Sequence, residues 1–281
     1  MMIFPNIFKT DYLIITSREW KYILENKEKK EFFIRVNFGL NKVRVEIKDE
    51  KVVLDDKFYL NLRLKIKDNF CYLVRKRKVY PCAFFSSDTN RFYKLAPTSD
   101  WPTVMISSTP MHKLSSSYKD TLLKIKLLKP YGVVLDTCMG LGYTAILASQ
   151  KAEKVITFEI DKNIVQLAKI NPASRPLFNN PKIKIYFKDI SEYIKKFSQD
   201  TFDTIIHDPP TFKLAPYLYS EDFYQRLFYV LKKGGGLYHY LPLWGIKRGR
   251  FFPQKIKERL KRAGFKIKIY LPEEGHLICV K

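Results

Sequence analysis

Val133-Val134-Leu135-Asp136-Thr137-Cys138-Met139-Gly140-Leu141-Gly142-Tyr143-Thr144 is the stretch on which the fold is decided. An aliphatic run enters a carboxylate, then a Gly-x-Gly turn, then residues that open a helix. Strand, turn and helix in that order make the first half of a βα unit. Glycines let a backbone approach a ligand closely, and a helix N-terminus favours a carboxylate or phosphate. A dinucleotide fingerprint needs a third glycine three residues after Gly142, where Ala145 stands. Instead, Asp136 precedes Gly140 by four residues and Gly142 by six. A carboxylate there suits a ligand carrying an ammonium group and repels a pyrophosphate.

The alternation continues outward from this turn. Leu122, Ile125 and Leu128 predict a helix ending near Pro130. Downstream, Val155–Phe158, Ile183–Phe187, Phe202–Ile206 and Leu237–Leu241 read as strands. Between them, Ile164, Leu167 and Ala168 mark one helix face, and Phe223, Leu227, Val230 and Leu231 another. Ile256 and Leu260 face one side of a basic helix. Repeated βα alternation predicts an α/β fold with a mainly parallel sheet covered on both faces. Phe265–Leu271 and Leu277–Val280, joined only by residues 272–276, predict an antiparallel hairpin at one edge.

Upstream the period changes to two. Phe58, Leu60, Leu62, Leu64 and Ile66 alternate with polar or basic residues, as in a half-buried strand. Ile34–Ile47 repeats the pattern, broken by a turn at Gly39-Leu40-Asn41. Cys71–Tyr80 is a third candidate and carries Arg75-Lys76-Arg77-Lys78. A helix is expected over Ser17–Glu28, with Ser17 as its cap. The expected organisation is a small basic β-rich domain over 1–95, a linker and pocket segment over 96–114, and the α/β domain over 115–281. Ala96-Pro97-Thr98-Ser99-Asp100-Trp101-Pro102 carries the linker signal.

The chain has 281 residues, with 51 Lys+Arg against 28 Asp+Glu, for a formal net charge of +23. Residues 1–100 hold 21 of the basic and 13 of the acidic residues, so both parts are basic. Such a surplus favours polyanions, nucleic acid above all. With 46% apolar residues, the chain is neither disordered nor low-complexity. No apolar run is long enough for a membrane span, and Met1–Asp11 does not read as a signal peptide. Cys71, Cys82, Cys138 and Cys279 form no paired Cys-x-x-Cys, so neither a metal nor a disulfide framework is expected, and a reducing cytoplasmic compartment is.

Two more acids fall at strand ends. Glu159, after Val155–Phe158, is placed to accept hydrogen bonds from ribose hydroxyls. Asp189, after the next strand, either accepts from an adenine amino group or caps a helix with Ser191-Glu192 behind it. The fourth strand runs into His207-Asp208-Pro209-Pro210-Thr211-Phe212.

With these residues in place, the segment 110–281 resembles the class I S-adenosylmethionine-dependent methyltransferases. Gly234-Gly235-Gly236, Arg262-Ala263-Gly264-Phe265 and the final hairpin follow their motif order. That resemblance implies a Rossmann-like, seven-stranded sheet with its last strand antiparallel. Asp208-Pro209-Pro210 resembles the Asp-Pro-Pro-aromatic motif of amino-methyltransferases. The combination of Met111-His112, Asp136-Thr137-Cys138, Gly140-Leu141-Gly142-Tyr143-Thr144-Ala145, Asn171-Pro172 and His207-Asp208-Pro209-Pro210 is similar to an archaeal family associated with N4-dimethylation of cytidine in small-subunit ribosomal RNA.

The resemblance implies S-adenosylmethionine as cofactor and RNA as partner, with no metal and no membrane. Gly140 and Gly142 would pass the methionine end, Asp136 its amino group, Glu159 the ribose and Asp189 the adenine, with Ile190 on the adenine face. Cys138, Tyr143, Thr144 and Ile160 complete the expected cofactor set, and Ser107–His112 is placed beside it. Asp208, Pro209 and Pro210 would be catalytic. The Asp208 carboxylate and the Pro209 carbonyl each accept an N–H bond and aim the amine lone pair at the sulfonium. Thr211 stands where many relatives have an aromatic, leaving Phe212, Tyr217 or Tyr219 to stack on a base. Strand alternation points His207 away from Asp208, so it is a packed or phosphate-facing residue as readily as a substrate contact. Trp244, Lys247, Arg248 and Arg250 interleave aromatics with cations and, with Arg75–Lys78, are the expected RNA path.

The main expectation is therefore an RNA N-methyltransferase acting on cytidine N4. Methylation of a tRNA base or another amine, an aminopropyltransferase of the same fold acting on polyamines, and a non-catalytic RNA-binding assembly factor are the alternatives. The basic chain counts against polyamines, which need acidic pockets.

Overall fold

The structure, a computed structural model, describes residues 11–112, 115–242 and 252–281. The chain divides into two units. One runs through Asp120 and takes in Asn163–Pro176; the other comprises Thr121–Lys162 and Leu177–Lys281.

The first unit is built from short antiparallel strands. β1 (Leu13–Ile15) pairs with β6 (Tyr72–Arg75), which pairs with β7 (Lys78–Pro81). β2 (Glu31–Val36), β3 (Asn41–Lys48), β4 (Lys51–Leu54) and β5 (Phe58–Asn61) form a meander. β8 (Ala83–Ser86), β9 (Arg91–Ala96), β10 (Thr103–Ile106) and β11 (Thr109–Pro110) form a second four-stranded sheet. The span 96–114 thus contributes two strands of this sheet. Val36, Val45, Val52, Leu54 and Val74 are fully enclosed in the core, as the period of two requires.

Three local details differ from expectation. The strand at Phe58 stops at Asn61; Leu62, Leu64 and Ile66 pack on the core from irregular backbone. The cations Arg75–Lys78 span the β6–β7 turn rather than one strand, with Lys76 at φ 51°. Helix α1 (Ser17–Glu25) is capped by Thr16, not Ser17. Thr16 Oγ1 accepts from Arg18 N at 3.2 Å, and Glu19 accepts from Thr16 N at 2.7 Å, a reciprocal capping box.

The second unit carries the seven-stranded sheet. Its strands are β12 (Val133–Asp136), β13 (Lys154–Phe158), β14 (Ile183–Tyr186), β15 (Phe202–His207), β16 (Leu231–Tyr240), β17 (Lys266–Leu271) and β18 (His276–Val280). They lie in the order β14-β13-β12-β15-β16-β18-β17. All neighbours from β14 to β16 are parallel, and β18 runs antiparallel to both β16 and β17. Gly234-Gly235-Gly236 lies inside β16 rather than before it. Leu135, Phe158, Ile205, Leu237 and Leu277 fill the core with Phe223 and Leu227 of α7 (Glu221–Val230) and Ile256 and Leu260 of α8 (Phe252–Arg262).

Helix α2 (Ser117–Leu128) buries a face the apolar pattern does not mark. Ser117, Asp120, Thr121 and Lys124 share helical spacing and are all buried. Leu122, Ile125 and Leu128 are only partly so. No helix among the described residues is long and apolar enough to cross a membrane.

Candidate active site

Parallel register brings three carboxylates to one edge of the sheet. Asp136 ends β12 opposite Thr157 of β13 and Ile206 of β15. Glu159 and Asp208 each stand two residues beyond those partners, so all three acids emerge at the carboxyl ends of adjacent strands. Ligands of open α/β sheets bind at this edge.

Asp136 is fully buried. Its Oδ2 accepts from Thr157 Oγ1 at 2.7 Å and from Thr144 Oγ1 at 3.2 Å. Its Oδ1 has no hydrogen-bond partner among the described residues. Burial pushes this carboxyl up to about 7, with Asp208 and Glu159 adding repulsion and the two threonines opposing it. Burial likewise pushes Glu159 up to about 7, although its carboxylate accepts from Gly140 N at 3.0 Å and Asp161 N at 2.8 Å. A buried carboxylate oxygen with no donor costs free energy until a cation or N–H reaches it.

The turn between β12 and α3 (Tyr143–Ala148) leaves room for a ligand. A Cβ at Gly140 would meet nothing within 4 Å. Gly142 is different: its φ is 80°, and a Cβ there would collide with the Leu177 side chain. Gly142→Ala is expected to cost about 1–3 kcal/mol of stability, read by chemical denaturation.

Asp208 is paired. Lys124 Nζ lies 2.7 Å from its Oδ2, and the side chains are only 4% and 16% exposed, so the pair is almost dry. The sequence reading missed Lys124. The available signal was its helical spacing from Asp120 and Thr121, a polar stripe without apolar members.

The Asp-Pro-Pro turn is held from below. Tyr219 Oη donates to the Pro210 carbonyl at 2.8 Å and lies 3.5 Å from the Pro209 carbonyl. The Tyr219 carbonyl accepts from Arg259 at 2.8 Å. Tyr219 is therefore a buried support and not a stacking platform. His207 is packed, as strand alternation allows: its ring bonds Thr137 Oγ1 at 2.8 Å and the Leu218 carbonyl at 2.9 Å, and burial lowers its pKa to about 3. It is buried and neutral. Tyr219→Phe is expected to lower turnover about tenfold with donor affinity unchanged, checked by steady-state kinetics beside calorimetric binding.

Other expected residues separate. Asp189 caps α6 (Ile190–Tyr193), the helix that follows α4 (Lys162–Ile170) and α5 (Arg175–Asn179) in the chain, accepting from Ser191 N at 2.8 Å. Ile190 is buried in the sheet core, whereas Ile160 is largely exposed. Cys138 is partly buried and its thiol is pushed up by burial, so it lines the turn as a neutral group. Tyr143 and Thr144 are buried at the start of α3. Phe212 packs its ring against Phe252 with centroids 4.9 Å apart, while Thr211 is partly exposed. Trp244, Lys247, Arg248 and Arg250 lie outside the described residues, and Ser107–His112 belongs to the first unit. No group of His, Cys, Asp and Glu among the described residues is arranged to hold a metal.

The orphaned Asp136 oxygen, the open space at Gly140 and the partly buried Glu159 fit a cationic nucleoside. Asp136 would take its ammonium and Glu159 its ribose hydroxyls.

The sheet and this pocket define a class I S-adenosylmethionine-dependent transferase fold of the spermidine-synthase-like kind. The spermine/spermidine synthase domain matches residues 109–240. A crystal structure of spermidine synthase in complex with the transition-state analogue AdoDATO superposes with a TM-score of 0.57 at 16% identity, over 89% of this chain and 79% of that one. The chain belongs to the same family as an uncharacterized protein of Methanocaldococcus jannaschii, to which it is 40% identical over 268 residues, 89% of each. A polyamine aminopropyltransferase of Thermotoga neapolitana is 32% identical over 93 residues, 32% of this chain and 31% of that protein.

These likenesses overturn the reading as an RNA N4-cytidine methyltransferase. The matching domain is that of polyamine synthases, and the aminopropyltransferase alternative fits better. The error has a physical source. Net charge describes the surface, whereas acceptor choice is made in the pocket, and this pocket gathers Asp136, Glu159 and Asp208 inside a basic chain. Both reactions alkylate an amine from a sulfonium, so the glycine turn and the strand-end acids alone do not separate them.

Proposed function

We propose that this protein transfers an aminopropyl group from decarboxylated S-adenosylmethionine to an amine of the polyamine class. The observation that carries this reading is the buried Asp136 carboxylate with one unmet oxygen, beside two further acids at adjacent strand ends. Such a pocket favours a donor with an ammonium and no carboxylate. The buried cation nearby, Lys124, is already matched by Asp208.

Bound decarboxylated S-adenosylmethionine supplies an electrophilic carbon whose bond to sulfur is the one that breaks. Asp136 holds the aminopropyl ammonium, and Glu159 the ribose. Asp208 Oδ1 and the Pro209 carbonyl accept N–H bonds from the acceptor and aim its lone pair. As the new C–N bond forms, Asp208 stabilises the positive nitrogen and takes its proton to water.

The test supplies radiolabelled decarboxylated S-adenosylmethionine with diamine and triamine acceptors. A lengthened, labelled polyamine and methylthioadenosine are expected. No labelled amine from folded protein, or a methylated amine from S-adenosylmethionine in a parallel arm, overturns the reading.

A further inference from the structure

A free aliphatic amine is protonated at neutral pH, with a pKa near 10.4 when lysine-like, and an ammonium has no lone pair to attack carbon. A lone carboxylate worsens this, because it stabilises the ammonium by pairing with it. In this site the carboxylate is not alone: Lys124 Nζ sits 2.7 Å from Asp208 Oδ2, nearly sealed from water. Oδ1 of Asp208 makes no hydrogen bond among the described residues. An acceptor nitrogen at Oδ1 would therefore share one carboxylate with a fixed ammonium. We propose that Lys124 is a positioning residue that makes the acceptor shed its proton on binding, so that a neutral amine sits on Asp208.

This rests on the aminopropyltransferase reading and adds the acceptor's protonation state to it. The surrounding groups leave that role to Lys124. Cys138 and Tyr219, electrostatically coupled to Asp208, are held neutral by burial, and so is His207 beside it. The Tyr240 ring lies 5.9 Å from Nζ. Asp120 precedes Lys124 by one turn of α2. Asp136 and Glu159 are the remaining acids, and the donor's ammonium and ribose occupy them. A nearby fixed cation is a general means of keeping an amine neutral. The proton given up on binding leaves to solvent, so transfer then needs only the lone pair and one later deprotonation.

The experiment measures proton release when putrescine binds to protein loaded with the donor's unreactive thioether analogue, 5′-deoxy-5′-(3-aminopropylthio)adenosine, which keeps the ammonium for Asp136, using calorimetry in buffers of different ionisation enthalpy. Wild-type protein is expected to release about one proton per diamine beyond that of Lys124→Gln, which binds the diamine as its dication. In Lys124→Gln, putrescine binds about tenfold more tightly, and the pH of half-maximal transfer rises by about one unit. Lys124→Arg restores the wild-type profile. Lys124→Met, which keeps the packed stem, replaces the glutamine variant if that fails to fold. Wild-type binding without proton release overturns the inference by itself, as does an unchanged pH profile in the uncharged variants. If wild-type protein neither binds nor aminopropylates any amine, the functional reading fails first and this inference falls with it.

Discussion

Asp208→Asn is expected to lower turnover by about 10³-fold while donor affinity stays within about twofold. The amide keeps the size of the side chain and an oxygen for Lys124, but loses the charge that answers the nitrogen made positive in transfer. The same change takes a buried counter-charge away from Lys124. Lys124 is 4% exposed, so the variant should also unfold about 2–3 kcal/mol more easily. The two effects separate in Asp208→Asn/Lys124→Met, which should recover stability and not turnover. Single-turnover kinetics, donor calorimetry and urea denaturation check the three parts. Loss of donor binding in the single variant would mean that Asp208 holds the donor instead.

Asp136→Asn should act in the opposite direction on stability. The Asp136 carboxyl is raised from 3.8 to about 7, chiefly by burial. Below about pH 4 it is protonated in both folded and unfolded chains, and no penalty exists. Between about pH 4 and 7 the unfolded chain gives up this proton while the folded state keeps it, so unliganded protein loses stability across that window, and the full penalty stands above it. Glu159, raised to about 7, adds to the loss over the same range. Removing the Asp136 charge should recover up to about 4 kcal/mol at pH 8 and nearly nothing at pH 4. Affinity for decarboxylated S-adenosylmethionine should fall about 100-fold in exchange, since a charge-assisted bond is lost. Thermal unfolding against pH, with and without donor, reads both effects. An unchanged pH dependence would show that the carboxyl is not strained.

Much of the α/β unit is legible because its signal is local. β12, β13 and β15 are short apolar runs, and α7 and α8 each carry an apolar stripe. The acids at 136, 159 and 208 follow, since they are simply the residues after those runs. Other features depend on what lies opposite. Leu62, Leu64 and Ile66 continue a period of two and bury apolar surface without pairing. Arg75–Lys78 extends a strand-like run, yet the backbone reverses there to pair β6 with β7. α2 is the clearest case. Its apolar residues suggest one buried face, but the enclosed one is polar, because Lys124 finds its counter-charge 84 residues away on Asp208. No window of sequence contains that pairing. Acceptor chemistry was hidden for the same reason: it depends on charges gathered by the sheet and not on their total.

β18 follows β17 in the chain but lies between β16 and β17 in the sheet. During synthesis, β16 therefore waits with an open edge until residue 280 has left the ribosome, since β17 has no place beside it. β16 is also the strand next to β15, whose end carries Asp208. β18, made after all six other strands of this sheet, thus closes the edge beside the strand that leads to Asp208. An unpaired edge held open that long is exposed to pairing with other chains, which ties the yield of native protein to how soon residues 276–280 follow β16.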